Sequence, residues 1–348
     1  MEFSLQRKLL QRLQEINQKE LPEYDVVMLP DFFVDHVLSL DDVEQMCATV
    51  HSIATQGGGN IPGIHQRIHQ GGNAANTSLG LARLGMTTHL ICQTDSFGLS
   101  LLQYFLGRNH VDLSGVKSDG DLALTTALEF QKQRANIMLG DPGSVARFSF
   151  ERLTEQDHEL ITSADLVGVT NWNLNRFGTD LACSVLKLAH THNVRTFFDS
   201  GDPSPRKDDI PELIEKVLMN PHLDIFGLNE NELRYYTGKP NTTQSEIINA
   251  GESFKKKIPG RIDLHTSSFS SSFHENTTIV ETIQLSKIYR LTGAGDAWNA
   301  ANIFADLLGF ADDERLLFAN IVAGQYISSA EGIHPTLSTV IDFIKKKL

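Results

Sequence analysis

Cysteine is scarce in this chain, which has only Cys47, Cys92 and Cys183 among its 348 residues. The three thiols are widely spaced and include no Cys-x-x-Cys pair, so the sequence favours neither a disulfide framework nor a zinc site. Three reduced thiols in a cytoplasmic protein are the expected state.

Long apolar runs are also missing. No segment reaches the ~20 predominantly apolar residues that a membrane-spanning helix needs. The N-terminal sequence MEFSLQRKLLQRLQ is interrupted by charge too often for a secretory signal peptide. The sequence therefore predicts a soluble, intracellular protein without membrane association.

Basic residues are outnumbered by acidic ones. The chain has 30 Lys and Arg against 43 Asp and Glu, which gives a formal net charge of −13. Nucleic acids and anionic membranes bind through a surplus of positive charge, so neither is an expected partner. A small phosphate-bearing ligand needs only a local positive site and is not excluded.

Strand-like and helix-like segments alternate along much of the chain. VRTFFD (194–199) and DIFGLN (224–229) are typical of buried strands, and segments with helical periodicity separate such strands. This alternation predicts an α/β fold with a mainly parallel sheet covered by helices on both faces. Ligands of such sheets bind beyond the carboxyl ends of the strands.

The first residues predict a separate element. Leucine and isoleucine recur at helical spacing between residues 5 and 16, which indicates an amphipathic N-terminal helix within residues 1–22. Residues 23–348 are then expected to form the main domain. Its two closing helices are predicted over 295–308 and 312–330.

Three strand patterns carry too little apolar content for the central sheet. They lie at about 31–39, 61–72 and 120–140, and they predict a small lid sheet with one face in solvent. The serine-rich segment 267–272 is predicted to be a loop, and VETIQL at 280–285 a further strand.

The segment RLTGAGDAWNAA (290–301) is the first candidate site. Gly293 and Gly295 flank Ala294, and Asp296 stands where a helical apolar pattern begins. Free N–H groups and the helix dipole at such a turn favour an anion. A tight turn with a capping aspartate fits the same residues, and the pattern alone leaves both interpretations open.

Two other nucleotide-binding motifs fail on spacing. A G-x-G-x-x-G fingerprint would need glycine at position 298, which is Trp298. A Walker loop needs Gly-Lys-Ser/Thr, and Gly238-Lys239 is followed by Pro240. The sequence therefore gives no support to a dinucleotide-binding oxidoreductase.

Polar residues at three further places could meet a ligand. Gly72, Asn73 and Asn76 open a helix within GGNAAN, and Asp35 follows the first strand and can accept hydrogen bonds from hydroxyls. A closely packed helix start and a solvated loop charge are the structural alternatives.

Asn229 and Glu232 end a predicted strand and begin a helix. Oxygen ligands of this kind suit Mg²⁺, usually through water. An N-capped helix with an acidic first turn explains the same residues.

The order of these motifs is more specific than any one of them. GGNAANTSLGLARLG (71–85), TDSFG (94–98), NENELRYYTG (229–238) and TGAGD (292–296) follow one another as in the ribokinase-like carbohydrate kinases, the PfkB family. The chain resembles that family over about residues 24–335. The resemblance implies a ribokinase-like three-layer α/β/α fold with a small β lid.

The resemblance also implies a mechanism. Asp296 matches the family's base for the accepting hydroxyl, and Gly293, Ala294 and Gly295 match its anion hole for the transferred phosphoryl group. Positioning and charge stabilisation dominate phosphoryl transfer. A carboxylate near a helix N-terminus is expected to hold its proton weakly, which suffices if the hydroxyl becomes acidic only as the new bond forms.

Other family positions carry over in the same way. The substrate-binding positions fall on Asp35, Gly72, Asn73, Asn76 and Asn171. The nucleotide-binding positions fall on Asn229, Thr266, Ser268 and Asn320, and Glu232 matches the residue that organises Mg²⁺. The implied ligands are ATP with Mg²⁺ and a small sugar or nucleoside.

The chain departs from the family pattern in two places. Arg290-Leu291 replace an Asp-Thr pair whose aspartate often helps to hold a monovalent cation, so potassium dependence is in doubt. Arg290 could instead meet nucleotide phosphates. The segment 266–271 lacks the two glycines of the family's nucleotide loop and their backbone freedom, which leaves the donor nucleotide open.

Three functions stay in competition. The leading one is an ATP-dependent kinase of a small sugar or sugar derivative. Phe33 stands where some sugar kinases carry a polar residue, which keeps a nucleoside kinase open, and the missing glycines keep open a degenerate member that binds ligand without turnover. The lid strands could also pair between two subunits, so a homodimer is a further alternative.

Overall fold

The computed structural model describes residues 2–19, 22–133, 135–240 and 242–347, and within them the chain forms twelve α-helices and fifteen strands. The helices are α1 (Glu2–Gln18), α2 (Val43–Thr55), α3 (Asn73–Leu84), α4 (Ser96–Phe105), α5 (Glu155–Ser163), α6 (Gly178–Thr191), α7 (Ile210–Leu213), α8 (Glu230–Thr237), α9 (Gln244–Lys255), α10 (Ala294–Leu307), α11 (Asp312–Ile327) and α12 (Leu337–Lys347). The strands are β1 (Asp25–Leu29), β2 (Phe33–Leu40), β3 (His65–Gly71), β4 (Thr87–Leu90), β5 (Cys92–Gln93), β6 (Val111–Asp112), β7 (Val116–Lys117), β8 (Ala123–Phe130), β9 (Ala135–Asp141), β10 (Leu166–Val169), β11 (Arg195–Asp199), β12 (Ile225–Asn229), β13 (Arg261–His265), β14 (Phe269–Phe273) and β15 (Thr277–Glu281). The predicted segments 1–22, 120–140 and 23–348 include Met1, Glu20, Leu21, Arg134, Asn241 and Leu348, which lie outside the described residues.

Nine of these strands form the main sheet, in the order β15-β14-β13-β12-β11-β10-β1-β4-β6. The seven strands from β13 to β6 run parallel, and β14 and β15 pair antiparallel at one edge. The sheet is therefore mainly parallel, as the alternating pattern predicts.

Strand β1 shows how this sheet divides the core. Val26 and Met28 belong to a hydrophobic cluster with residues of α1, α3, α10, α11 and α12. Val27 and Leu29 belong to a second cluster with residues of α5 to α9 on the other face. Successive side chains of a strand point to opposite faces, so both layers of helices are anchored on the same short strand. The predicted three-layer α/β/α fold is confirmed.

None of the described helices has both the length and the apolar character to cross a membrane.

A second sheet of four strands, β3-β2-β8-β9, faces the carboxyl ends of the main-sheet strands. Strand β2 pairs antiparallel with β3 and parallel with β8, and β8 forms a hairpin with β9. We call this four-stranded sheet the lid sheet. Strands β3 and β9 are exposed along most of their length, whereas the central strands are buried on both faces, which is why their patterns differ.

The serine-rich segment 267–272 contradicts its prediction as a loop, because most of it forms β14. Ser270, Ser271 and Ser272 are fully buried. The hydroxyl of Ser272 donates to Asp263 at 2.7 Å, and the hydroxyl of Ser271 donates to the carbonyl of Thr278 at 2.9 Å. These bonds offset the desolvation of the Ser271 and Ser272 hydroxyls, so a strand forms without an apolar pattern. The predicted strand at 280–285 is also wrong in part, since β15 ends at Glu281.

Candidate active site

A cleft of about 980 Å³ lies between the carboxyl ends of the main-sheet strands and the lid sheet. Asn171, Asp199, Asn229 and His265 stand at or just after the ends of β10, β11, β12 and β13 and line one side of it. The carboxyl ends of parallel strands meet at one edge of a sheet, so residues far apart in the chain converge there. Phe33, Asp35, Thr125 and Met138 of the lid sheet line the opposite side. Every site residue predicted from the sequence lines this cleft except Ser268.

Asp296 lies in the first turn of α10 and is only 8% exposed. Its Oδ2 accepts a hydrogen bond of 2.9 Å from Nδ2 of Asn76. Burial raises the pKa of Asp296 well above its usual range, and the charges of Asp199, Asp31 and Asp35 raise the pKa further. The expectation that the helix N-terminus would weaken proton binding is therefore wrong, because desolvation outweighs the dipole. A carboxylate with raised proton affinity is a better acceptor for the proton of a hydroxyl.

The turn in front of Asp296 has a geometry that only glycine permits. Gly293 has φ of +80°, and a Cβ atom at this position would lie 2.5 Å from the hydroxyl oxygen of Tyr326. The N–H of Ala294 donates to the carbonyl of Leu291 at 3.1 Å, so one of the predicted anion-hole amides is already bonded. First-turn residues of a helix have no intrahelical partner for their N–H groups, which makes the amides of Gly295 and Asp296 donors suited to an anion.

Asp31 organises the substrate side of the cleft, although the sequence pointed to Asp35. The buried carboxylate of Asp31 accepts hydrogen bonds from the backbone N–H of Asn73 at 2.7 Å and of Ala74 at 3.0 Å. It also accepts from the hydroxyl of Thr170 at 2.9 Å and from Nδ2 of Asn171 at 2.8 Å. Asp31 thus holds the start of α3 against the end of β10, and it orients Asn171 toward the cleft.

Asp35 lies on the face of the lid sheet that borders the cleft, directly across from Thr125. Gly71 is next to it, and a side chain at Gly71 would overlap the Asp35 carboxylate. Burial raises the pKa of Asp35 to about 6, against a smaller lowering by a hydrogen bond from Thr125. Gly71 of the GGNAAN motif therefore makes room for a carboxylate with a pKa of about 6.

Asn229 and Glu232 form a capping box at the start of α8. Oδ1 of Asn229 accepts from the N–H groups of Asn231 at 2.8 Å and Glu232 at 3.0 Å, and Nδ2 of Asn229 donates to Oε1 of Glu232 at 2.7 Å. The backbone N–H of Asn229 donates to Oε2 of Glu232 at 2.8 Å. Burial raises the pKa of Glu232 well above its usual range, and the charge of Asp199 raises it further. The capping interpretation is confirmed, and both residues also line the cleft.

The predicted nucleotide side of the cleft has a tight turn between β13 and β14. Thr266 closes it, because its hydroxyl accepts from the N–H groups of Ser268 at 3.1 Å and Phe269 at 3.0 Å. Ser268 is exposed and does not line the cleft, whereas its neighbour Ser267 does. The turn thus closes without glycine, because the hydroxyl of Thr266 accepts hydrogen bonds from two of its N–H groups.

Asn320 lies beyond this turn and is buried. Its Oδ1 accepts from Nε1 of Trp298 at 2.9 Å, and its Nδ2 donates to the carbonyl of Glu281 at 3.2 Å. Apolar residues on this side of the cleft are Ile283, Leu285, Leu291, Ala323 and Ile327. These apolar side chains line the cleft beside Asn320, which links Trp298 of α10 to the end of β15.

Reasoning from single motifs missed two residues of the cleft, the buried Asp199 and the partly buried His265. Asp199 ends β11 and accepts from Nδ2 of Asn299 at 2.6 Å, and burial raises the pKa of Asp199. His265 ends β13, and its ring lies 5.2 Å from the ring of Trp298 and against Gly295. Burial lowers the pKa of His265 to about 4, so the imidazole is neutral at pH 7. The rule that ligands bind beyond strand ends would have selected both.

The charge of the cleft is strongly one-sided. The acidic residues that line it are Asp35, Asp199, Asp202, Glu230, Glu232 and Asp296, whereas no lysine or arginine of the described chain does. The family resemblance left open a contact of Arg290 with nucleotide phosphates, but Arg290 lies in a different cavity. Among the described residues, no group of three or more His, Cys, Asp or Glu side chains is placed to hold a metal ion directly.

Comparisons with known proteins agree with this geometry. The family model described as pfkB family carbohydrate kinase matches residues 34–339. A curated relative, the bifunctional protein HldE of Aliarcobacter butzleri, is 24% identical over 205 residues, which are 56% of this chain and 40% of that protein. The chain therefore matches less than half the length of this relative.

Solved structures show the same fold. Ribokinase of Arabidopsis thaliana, complexed with ribose and ATP, has a TM-score of 0.76 at 20% identity, with 93% of this chain and 99% of that chain covered. Adenosine kinase of Sinorhizobium meliloti has a TM-score of 0.75 at 17% identity, with 94% and 100% covered. Ribokinase of Cryptococcus neoformans, in complex with ADP, has a TM-score of 0.70 at 16% identity, with 94% and 100% covered. At these identities the likeness shows the fold alone.

Proposed function

The chain belongs to the pfkB family of carbohydrate kinases, and on this premise we propose that it transfers the γ-phosphoryl group of ATP to a hydroxyl of a small sugar or sugar derivative. The family match supports a sugar or nucleoside kinase, and the named acceptor class and donor are our proposal. One observation supports the proposed kinase function most strongly. A buried carboxylate with raised proton affinity, Asp296, lies beside free helix amides at the floor of a cleft.

We assign the reaction steps to these residues. The acceptor oxygen attacks the γ-phosphorus and forms a new O–P bond, the bond to the β-phosphate oxygen breaks, and ADP leaves. Asp296 takes the proton of the hydroxyl, and Asn76 holds its carboxylate through the bond to Oδ2. The amides of Gly295 and Asp296 stabilise the negative charge on the phosphoryl oxygens. Asp35, Asn73 and Asn171 would accept or donate hydrogen bonds to the acceptor's other hydroxyls.

The acidic cleft supports Mg²⁺ as a partner of the nucleotide. Triphosphate oxygens would meet several carboxylates there without a lysine or arginine from the described lining residues, so a divalent cation is needed to balance the charge. Glu232, with Asp199 nearby, supplies oxygen ligands that suit Mg²⁺ through water. The cation would neutralise charge on the phosphates, and Glu232 would hold its hydration shell in place.

Replacing Glu232 with glutamine tests this assignment. The glutamine side chain keeps the size and one acceptor of the capping box but removes the charge, so we expect the Mg²⁺ concentration for half-maximal activity to rise about tenfold. The matched control is Glu246→Gln, because Glu246 closes a similar capping box on α9, outside the cleft. Magnesium titrations of ADP release measure both variants, and an unchanged Mg²⁺ requirement in Glu232→Gln would refute the role.

The acceptor itself is identified by a panel assay. The protein is incubated with Mg²⁺ and ATP and with sugars, sugar acids, sugar phosphates and nucleosides, and ADP release is measured against reactions without an acceptor. Release that depends on one acceptor identifies the substrate. Absence of release together with absence of ATP binding would contradict the kinase proposal and favour a ligand-binding member of the family.

A nucleoside is the second candidate acceptor. Phe33 is only 4% exposed to solvent and lines the cleft from the lid sheet beside Asp35. Its aromatic ring offers a stacking surface to a flat base. Selective turnover of nucleosides in the panel would establish this alternative.

Asp35 predicts a pH dependence of acceptor binding. Its pKa of about 6 means that the carboxylate loses its charge as the pH falls through 6, and with it the strong, charge-assisted hydrogen bonds that it accepts from hydroxyls. The KM for the acceptor is therefore expected to be constant above pH 7 and to rise about tenfold by pH 5. The variant Asp35→Asn should show a high KM with no dependence on pH in this range. A flat profile in the parent protein would exclude Asp35 as the acceptor-binding carboxylate.

We also propose that the lid sheet pairs two subunits. Ile68, Leu139 and His36 lie in one row across β3, β2, β8 and β9, on the face away from Asp35. Ile68 and Leu139 are 59% and 55% exposed, and Leu124 and Ile137 on the same face are also exposed. His36 and Thr126 lie between Ile68 and Leu139 in this row, so the surface combines exposed apolar side chains with two polar ones. Apolar side chains exposed together on one face of a sheet are typical of an interaction surface.

Light scattering tests whether the chain forms a dimer through the lid sheet. The parent chain should have twice the monomer mass of 38.6 kDa, and Leu139→Glu should have the monomer mass. Met219→Glu, at an exposed apolar position outside the lid sheet, serves as the control and should stay dimeric. A monomeric parent chain would exclude the dimer.

The three unpaired cysteines support the proposed cytoplasmic location.

A further inference from the structure

A second cavity, of about 310 Å³, lies outside the active-site cleft. Its lining comes from β3, α3, α4 and the turn after it, the segment before α10, the end of α11 and the segment that follows α11. The polar residues that matter are His69, Arg83, Asn109, Arg290 and His334, and we call this cavity the Arg290 pocket. Among the described residues, none lines both the pocket and the cleft.

The Arg290 pocket holds two arginines whose charges have no carboxylate partner. Within the described part of the chain, no salt bridge joins Arg83 or Arg290 to Asp or Glu, whereas the interior Arg261 and Arg315 both pair with Asp263. Nε of Arg83 donates to the backbone carbonyl of His334 at 3.1 Å, and the guanidinium of Arg290 lies over the ring of Tyr326. Both contacts position the arginines and leave their charge uncompensated.

Buried nitrogen atoms in the same pocket have no hydrogen-bond partner. His334 is 2% exposed, and neither of its ring nitrogens is bonded within the described structure. The buried Nε of Arg290 is likewise without a partner there. Buried polar groups are almost always paired, so three such atoms in one cavity indicate the place of a hydrogen-bonding ligand. Burial lowers the pKa of His334 to about 3, and the charges of Arg83 and Arg290 lower it further, so the imidazole is neutral and offers one N–H donor.

The lining also limits the size and character of such a ligand. The guanidinium fork matches the oxygens of a phosphate, and two arginines with a neutral imidazole suit a dianion. The remaining walls include Leu79, Phe105 and Ile333, which would cover an organic group. Glu331 is the acidic residue of the lining, and its side chain is exposed.

We propose that the Arg290 pocket binds a small phosphate monoester, with its phosphate between Arg83, Arg290 and His334 and its organic part against the apolar walls. This site is separate from the cleft in which phosphoryl transfer is assigned. It does not depend on the identity of the acceptor or of the donor.

Calorimetric titration with inorganic phosphate and with glycerol phosphate tests the proposal on the full chain. The parent protein is expected to bind glycerol phosphate saturably, and at least tenfold more tightly than inorganic phosphate. Absence of binding at millimolar concentrations, or equal affinities for the two probes, would overturn the assigned ligand class.

Variants at the rim locate the binding. Ile333 is 55% exposed and lines the pocket, so Ile333→Glu places a carboxylate beside the arginines without disturbing the core, and Ile333→Gln is the neutral match. We expect Ile333→Glu to weaken glycerol phosphate binding at least tenfold and Ile333→Gln to change it less than threefold. Arg83→Gln should also weaken binding at least tenfold. Equal binding by the glutamate and glutamine variants would place the phosphate elsewhere, in the cleft included, and would refute the pocket as its site.

Discussion

Replacing Asp296 with asparagine is expected to lower the rate of phosphoryl transfer by at least ~100-fold, because asparagine cannot take the proton of the acceptor hydroxyl. Binding of acceptor and nucleotide should change only a few-fold, since asparagine has nearly the same shape. Burial already raises the pKa of Asp296, so a neutral side chain at this position should not lower the melting temperature. Rates come from ADP release with the acceptor that the panel identifies, and affinities come from calorimetry.

The control for this variant is Asp180→Asn. Asp180 is an exposed carboxylate on α6, and its side chain is 74% accessible. It lies outside the cleft lining, and its removal should leave the rate unchanged. Turnover by Asp296→Asn close to that of the parent protein would refute the assignment of the base, and with it the proposed mechanism.

Replacing Gly293 with alanine is expected to have the second largest effect. The left-handed backbone disfavours any side chain, and the added Cβ would lie 2.5 Å from the hydroxyl oxygen of Tyr326. Either the turn or Tyr326 must shift. We expect the turn to shift, which would move the amides of Gly295 and Asp296 away from the phosphoryl group. We expect a loss of about 2 kcal/mol or more of stability and at least ~100-fold in rate.

Gly238→Ala separates strain from site geometry. Gly238 has φ of +65°, similar to that of Gly293, but a Cβ atom there meets no atom within 4 Å. It should therefore cost about 1 kcal/mol from backbone strain and leave turnover intact. Denaturant unfolding and ADP release measure both variants. If both glycine variants lose the same stability and neither loses activity, the Gly293 turn has no role in transfer.

Local patterns were enough for much of the fold. The continuous apolar run of β1 requires cover on both faces, and the alternation of strands and helices after residue 164 requires a parallel sheet. Patterns failed at β14, where polar contacts replace apolar ones, because the hydroxyls of Ser271 and Ser272 bond Thr278 and Asp263. Helix α12 (Leu337–Lys347) was missed although its buried Leu337, Val340, Ile341 and Ile344 follow helical spacing, because the predicted helices ended at residue 330.

The candidate site, like the fold, was predictable from the sequence only in part. Motif order brought Asp296, the Gly293 turn, Asn229 and Glu232 to attention, and the structure gathers them in one cleft. Motifs could not show that Asp31 holds Asn171, that His265 lies against Gly295, or that Arg290 lies in a separate cavity. Each of these contacts joins residues that are distant in the chain.

The sequence by itself determined which residue types stand at the strand ends and where the backbone can turn freely, because propensity and glycine geometry act over a few neighbouring residues. Only the tertiary structure decided how strongly those residues hold protons and which of them are already bonded. Desolvation at Asp296 and Asp35, and the absence of a carboxylate beside Arg83 and Arg290 in the described chain, depend on what surrounds each group in space. Burial and distant charges are properties of the packed protein, and they decide the chemistry of the cleft.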